Sequence, residues 1–207
     1  IRAWKKDNRG VSRDIPTTGD QIYPLLPSDA CQATNYLPLR VPVLGVDLLT
    51  INGAKIYGPK GVALLVSRRS VIIEPVSVGG GHEGGKRAGT ENVPLIVGLA
   101  HALEVANLLR DTEVARLTPL RDALVQGLSK FTDITMNGSM AERLPNNIHF
   151  SMKGVDHEFI ALLFDKEGIS VATKSACNEL DAEHSHVLLS MIRAGHNGEG
   201  SGIRMTL

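Results

Sequence analysis

"TINGAKIYGPKGVALLV", Thr50 to Val66, decides how this chain is read. An apolar run leads into Asn52 and Gly53, then a lone lysine, Lys55, then glycines at 58 and 61. A second apolar run follows over residues 61–68, and both runs have the length of a buried strand. Glycines at these places permit sharp turns or a close backbone approach. A lysine in such a loop is ordinarily a solvated charge, and spacing alone favours that. It becomes a nucleophile only when its amine is deprotonated or bonded to a carbonyl.

The bulk composition narrows the classes around that stretch. The chain has 207 residues, with 22 Lys+Arg against 22 Asp+Glu and a formal charge of zero. A grip on nucleic acid or an anionic membrane needs a surplus of basic residues, so neither partner is expected. No apolar run approaches the length of a bilayer span. The opening "IRAWKKDNRG" shows no apolar signal core. The two cysteines, Cys31 and Cys177, lie far apart and form no disulfide framework, so a reduced, cytoplasmic setting is expected. The polar start without Met points to a fragment of something longer.

Working outward, "YPLLPSDACQA" (23–33) is a short apolar stretch ending at an acid. "VPVLGVDLLTING" (41–53), "GVALLVSR" (61–68) and "VIIEPVSV" (71–78) read as strands. The glycine cluster "GGGHEGGKRAGT" (79–90) feeds a helix over 92–111, capped by Thr90 or Asn92, with Leu95, Leu99, Ala102, Ala106 and Leu109 near one face. A second helix is expected over 118–131, which sets a domain boundary around Arg110–Pro119. Residues 1–110 then form one domain and 111–207 another. Beyond it come a strand (146–152), a helix (156–168) closed by Gly168, a strand (169–173), a helix (182–193) and a last strand (202–207). The fold class is α/β.

Five further residues carry candidate chemistry, each beside a plainer role. Asp29 stands at the end of a strand, where ligands bind in α/β sheets, although a turn aspartate capping a helix is common. Gln32 shares its segment, "SDACQA". Thr90 opens a helix and can bind an anion, although the loop matches neither a Walker A nor a dinucleotide pattern. Cys177 lies in a polar segment after a strand, where Lys174 favours its thiolate. His184 and His186 are near it, but the spacings fit no standard zinc pattern and no metal is expected. Cys31 reads as a small buried residue. Arg204, inside "GIRMTL", is either an edge-strand charge or a carboxylate clamp.

Taken in order, "SDACQA", "VDLLTINGAKIYGPKG", "GGGHEGGKRAGTENVPLIVG", "LPNNIHFS", "SACNELDAEHSHVLL" and "GIRMTL" resemble the cysteine desulfurases, fold-type-I pyridoxal-phosphate enzymes of the class V aminotransferase group. The resemblance runs from about Pro24 to Leu207. It implies the second half of the large cofactor-binding domain plus a small C-terminal domain, incomplete at its end. It implies that Lys55 bonds the pyridoxal 5'-phosphate covalently, that Asp29 pairs with its ring nitrogen, and that Gln32 bonds its phenolic oxygen. Asn52, with Gly53, would touch the phosphate. Thr90 would reach the phosphate of a partner subunit, which implies a homodimer. Arg204 would hold the substrate carboxylate. Cys177 would take sulfur from L-cysteine as a persulfide, leaving L-alanine. A long segment around Cys177 resembles the group that passes sulfur to a carrier or iron–sulfur scaffold protein, for cluster assembly or transfer-RNA thiolation.

The departures are specific. The family's histidine before the lysine is Ala54 here, and His149 stands where asparagine is more usual. The family's N-terminal half, with its phosphate loop, ring-stacking histidine and an asparagine near the phenolic oxygen, has no counterpart in these residues. Alternatives are a selenocysteine lyase, another class V enzyme, or a degenerate homologue that binds sulfur carriers without turnover.

Overall fold

Thr50–Val66 holds the end of the central strand, a 3₁₀ turn and most of one edge strand of a three-stranded sheet. The computed structural model describes residues 24–173, 185–198 and 201–207. Strands β1 (Pro27–Asp29), β2 (Leu48–Asn52) and β3 (Ala63–Ser67) lie in the order β1-β2-β3. β1 runs parallel to β2, with Asp29 opposite Thr50, and β3 runs antiparallel. Alternation along β2 separates its faces. Leu49 and Ile51 are buried in a core with Ala30, Val46, Ile56 and Leu99. Leu48 and Thr50 face the other way, where with Pro27, Ser28, Asp29, Leu65 and Ile73 they line a cavity of about 440 Å³.

Two expected strands differ. The run 41–53 divides into a short helix, α1 (Val41–Leu44), and β2. Pro42 sits in the first turn of α1, and Gly45 ends it in the left-handed region at φ 69°. Residues 71–78 form no strand. Pro75 lacks the N–H a ladder needs, and only Val71 at the start of the segment is buried.

Helix α2 (Val93–Leu128) is a single element of 36 residues where two helices were expected. Asn92 Oδ1 accepts from Leu95 N at 3.3 Å, so Asn92 caps it. Pro119 lies inside the helix and forfeits one bond. The helix continues because Leu117 is buried and Leu124, Val125 and Leu128 pack onto a core beyond the proline. The chain divides into two compact units, Ile1–Asp111 and Thr112–Leu207, so the division falls within α2. An 18-residue window of α2 reaches a mean hydropathy of 1.4, so by length and composition the helix could cross a membrane. This differs from the expectation that no apolar run approaches the length of a bilayer span, because a helical window tolerates scattered charges. Leu99, Ala102 and Leu103 pack against the first core, and Leu124, Val125 and Leu128 against the second.

The second unit holds an antiparallel sheet, β4 (Ile134–Met136), β5 (Asn147–Met152) and β6 (Ile203–Thr206), in the order β4-β5-β6. Its core is Ile148, Phe150, Ile203 and Met205, covered by residues that include Ile160 and Phe164 of α3 (His157–Lys166). Asp156 caps α3 through bonds from Glu158 N and Phe159 N, and Gly168 follows its end at φ 76°. Ser185 caps α4 (His186–Arg193). The strand expected over 169–173 is reduced to a bridge between Ala172 and Arg204. β4 carries too few residues to show as a period in the sequence.

Candidate active site

In the first unit, pairing and alternation gather several of the singled-out residues. Asp29 pairs with Thr50, and Asn52 lies two residues further on the same face of β2. These are the carboxyl ends of two parallel strands, where α/β sheets present ligand sites. Gln32 is exposed in the turn that follows Asp29. That turn is tied down by Ala30 N donating to Thr50 O at 2.9 Å and by Thr34 Oγ1 donating to Ala30 O at 2.8 Å. Asp29 Oδ1 accepts from Cys31 N at 2.9 Å. The Cys31 thiol and this amide hold the Asp29 carboxyl below the ordinary range, so it is an anion at neutral pH.

Lys55 closes a 3₁₀ turn, Gly53–Lys55, directly after β2. Asn52 Oδ1 accepts from Ala54 N at 2.9 Å and caps the turn. Asn35 Nδ2 donates to Lys55 O at 3.0 Å, so the lysine backbone is fixed from a second direction. Its side chain is exposed, and its amine has no hydrogen-bond or ion-pair partner among the described residues. The glycines serve the backbone around it. A Cβ at Gly53 would meet Pro59 O at 2.7 Å, and one at Gly58 would meet Ala102 Cβ at 2.9 Å. Tyr57, between them, takes the left-handed region at φ 59°. That costs about 1–2 kcal/mol for a residue with a side chain, and Gly58 N bonding Gly53 O at 2.9 Å holds it there.

Thr90 is exposed, and no hydrogen bond joins it to this group among the described residues. Its neighbour Glu91 was not singled out in the sequence, yet it closes the glycine loop. Glu91 accepts from Glu83 N at 3.3 Å and pairs with His82 Nδ1 at 3.0 Å.

Arg204 lies in the second unit, on β6 opposite His149 of β5. The pair faces away from the apolar core, beside a chain of buried polar groups that sequence reasoning missed. Asn137 Nδ2 donates to Ser151 Oγ at 2.9 Å and contacts His149 Nδ1 at 2.8 Å. Asn137 Oδ1 meets His196 Nε2 at 2.8 Å, and Ser151 Oγ donates to Ser201 O at 2.7 Å. Burial, with Arg143, Arg204 and His157 nearby, pushes His149 down to about 4. The only sequence trace of this group is the alternation Ile148–His149–Phe150, which turns a histidine away from the core.

Lys174, Cys177 and His184 lie outside the described residues. Cys31 is half-buried rather than a core residue, because its position follows the end of β1 instead of continuing the strand. Burial pushes its thiol up, so it is a poor nucleophile. No group of three or more potential metal ligands occurs among the described residues.

The aminotransferase class-V family model matches residues 9–198. The cysteine desulfurase IscS of Dictyoglomus turgidum is 46% identical over 181 residues, covering 87% of this chain and 46% of that protein. A cysteine desulfurase of Nostoc sp. is 43% identical over 164 residues, covering 79% and 41%. Among solved structures, a NifS-like protein from Rickettsia africae superposes with a TM-score of 0.76 at 30% identity, over 88% of this chain and 48% of that one. A second NifS-like protein gives 0.77 at 30% identity, over 100% and 49%. The chain spans about half the length of the relatives it matches. With the family match covering nearly all of its residues and its α/β units superposing on NifS-like structures, the chain belongs to the class-V aminotransferases, with the fold-type-I architecture.

Proposed function

We propose that the protein is a cysteine desulfurase that uses pyridoxal 5'-phosphate, removes sulfur from L-cysteine and leaves L-alanine. One observation carries the reading. An ionised carboxylate (Asp29), an amide (Asn52) and an amine without a partner among the described residues (Lys55) follow one another at the carboxyl end of a parallel strand pair. That donor set fits the cofactor: an anion for a protonated ring nitrogen, an amine for its aldehyde, and the Asn52 Nδ2 for its phosphate. Asn52 Oδ1 is already taken by Ala54 N, so only the nitrogen end of that amide serves. Gln32 holds the phenolic oxygen, and Gly53 keeps the backbone close. The desulfurase names of the relatives support the same choice.

The bound cofactor supplies an electron sink for charge developing at the substrate Cα. This chain's residues do the rest. Asp29 keeps the ring nitrogen protonated. Lys55, once its amine is free, moves the Cα proton. Arg204 holds the substrate carboxylate. Cys177 Sγ bonds the substrate sulfur as the Cβ–S bond of cysteine breaks. The sum is L-cysteine plus a thiol giving L-alanine plus a persulfide on Cys177, with no outside oxidant. The protein works as a cytoplasmic homodimer in which Thr90 reaches the partner's phosphate. It passes sulfur to an acceptor protein such as an iron–sulfur scaffold, for cluster assembly or transfer-RNA thiolation, without binding nucleic acid or membrane itself.

The test uses protein expressed from the complete reading frame and supplied with pyridoxal 5'-phosphate. The expected result is a yellow protein, borohydride fixation at Lys55, and equal yields of alanine and Cys177 persulfide from cysteine. Cys177→Ala keeps the colour and loses persulfide. A colourless protein overturns the reading. Ala54 in place of histidine, and the Asn52 oxygen spent on its turn, favour a second reading, a silent homologue that binds sulfur carriers; a colourless protein that still binds such a carrier supports it.

A further inference from the structure

We propose that His149 is a second hydrogen-bond donor for the substrate carboxylate, acting beside Arg204, so that the amino acid's acid group is held by a cation and a neutral imidazole together. The proposal rests on the desulfurase reading for the identity of the amino acid, but the carboxylate-binding pair itself is argued from this sheet.

His149 and Arg204 are directly paired across β5 and β6. Directly opposed residues carry their side chains on one face with Cβ atoms about 5 Å apart. The face they share is the one turned from Ile148, Phe150, Ile203 and Met205. Arg204 is half-buried, and its guanidinium has no hydrogen-bond or ion-pair partner among the described residues. A half-buried cation with no anion among the described residues marks a place where an anion belongs.

The hydrogen bonds around His149 fix which of its nitrogens can donate. Asn137 Oδ1 receives His196 Nε2, so the other end of the amide, Nδ2, is the donor. Its two hydrogens go to Ser151 Oγ and His149 Nδ1. Nδ1 is therefore an acceptor, and the proton of the neutral ring sits on Nε2. That N–H has no acceptor among the described residues. The ring itself is held tightly. A Cβ on Gly202 would lie 2.7 Å from His149 Cε1, so only glycine at 202 leaves the imidazole its place. The charged groups near it are Arg143, Arg204 and His157, all capable of positive charge, with His196 reaching it through Asn137. Burial first, and these groups after it, keep the imidazole neutral, and the charges make the surroundings attractive to a carboxylate. An asparagine, the more usual residue here in the resembling family, could donate an N–H from the same strand position over a shorter reach.

The test uses the cofactor-loaded protein. His149→Ala raises KM for L-cysteine about tenfold with kcat within about twofold, the loss of one hydrogen bond to a charged group. His149→Asn restores most of the affinity. Binding of L-alanine weakens in the same proportion, while ethylamine, which has no carboxylate, binds equally to both forms. A separate readout does not need turnover: in a ¹⁵N-imidazole spectrum, L-alanine shifts the His149 Nε2 signal saturably. If that signal does not move, or if KM is unchanged in a His149→Ala protein of native colour and melting temperature, the proposal is overturned. A saturable shift in a protein that makes no alanine from cysteine supports the carboxylate pair and removes the desulfurase reading instead.

Discussion

The two units build their polar sites by opposite means. Around Lys55 the geometry is made by backbone. A strand end, a capped 3₁₀ turn, two glycines without room for a Cβ and one left-handed residue set the position, and the Lys55 amine is left exposed. Around His149 it is made by side chains. Asn137, His149, Ser151, His196 and Ser201 are linked in a chain whose members come from β5 and from other segments, the longest bond joining residues 59 apart in sequence. A backbone-made site tolerates an exposed group that has to change bonding partners during a reaction. A side-chain network fixes tautomer and orientation, at the cost that every member depends on the others.

The contrast is sharpest in activity. Lys55→Ala should lower cysteine-dependent alanine formation by at least ~10³-fold while leaving the thermal stability of the cofactor-free protein unchanged, because the side chain has no partner among the described residues. Assay and melting curve together check it, and a large drop in melting temperature would erase the distinction between the units. Asn137→Ala should do the reverse. It strands His149 Nδ1 and His196 Nε2, takes one of two partners from Ser151 Oγ, and should cost about 3 kcal/mol in denaturant unfolding. Gly202→Ala should cost about 2 kcal/mol, since its Cβ meets both His149 Cε1 and Phe150 O at 2.7 Å.

Acidity separates the units in a different way. The native ring of His149 titrates at about 4, below the ordinary 6.5, because burial and neighbouring cations disfavour its charge. The unfolded chain then takes up this proton first. The contribution to stability is complete above pH 6.5 and is lost as pH falls from there through about 4. Urea midpoints measured across that window should decline, and His149→Asn should flatten this part of the slope. The smallest effect belongs to the first site: Asn52→Ala removes the cap on Ala54 N and should cost about 1 kcal/mol, with Asn52→Asp restoring it.

The same contrast explains what was legible in the sequence. Asp29, Asn52, Gly53 and Lys55 lie in short contiguous segments whose strand alternation and turn glycines state the local geometry, so their meeting follows once β1 and β2 pair. Gly168 likewise marks where a helix ends, whereas Pro42, which opens α1, lay inside a run read as a strand. The His149 network was not legible, because Asn137, His196 and Ser201 carry no periodicity and meet only through the register of β5 and β6. The continuity of α2 was missed for a related reason. Pro119 is a strong local signal to stop, and it is overruled by packing of Leu117, Leu124 and Leu128, which no local rule contains. The strand expected over 71–78 failed because apolar residues were counted without the backbone donor that Pro75 lacks.

Asn137 is followed by Gly138, the pair most prone to slow loss of the side-chain amide, because glycine leaves the next peptide nitrogen free to attack it. In the folded protein both ends of that amide are engaged, and the Asn137 carbonyl accepts from Arg143 as well. The attack needs a rotation these bonds forbid, so ageing at this residue proceeds only while the second unit is open. Once it happens, the new carboxylate offers an acceptor where His149 Nδ1 requires a donor, and the unit cannot close as before. The lifetime of stored protein, read as the gain in mass at Asn137, therefore reports how often this half of the chain unfolds.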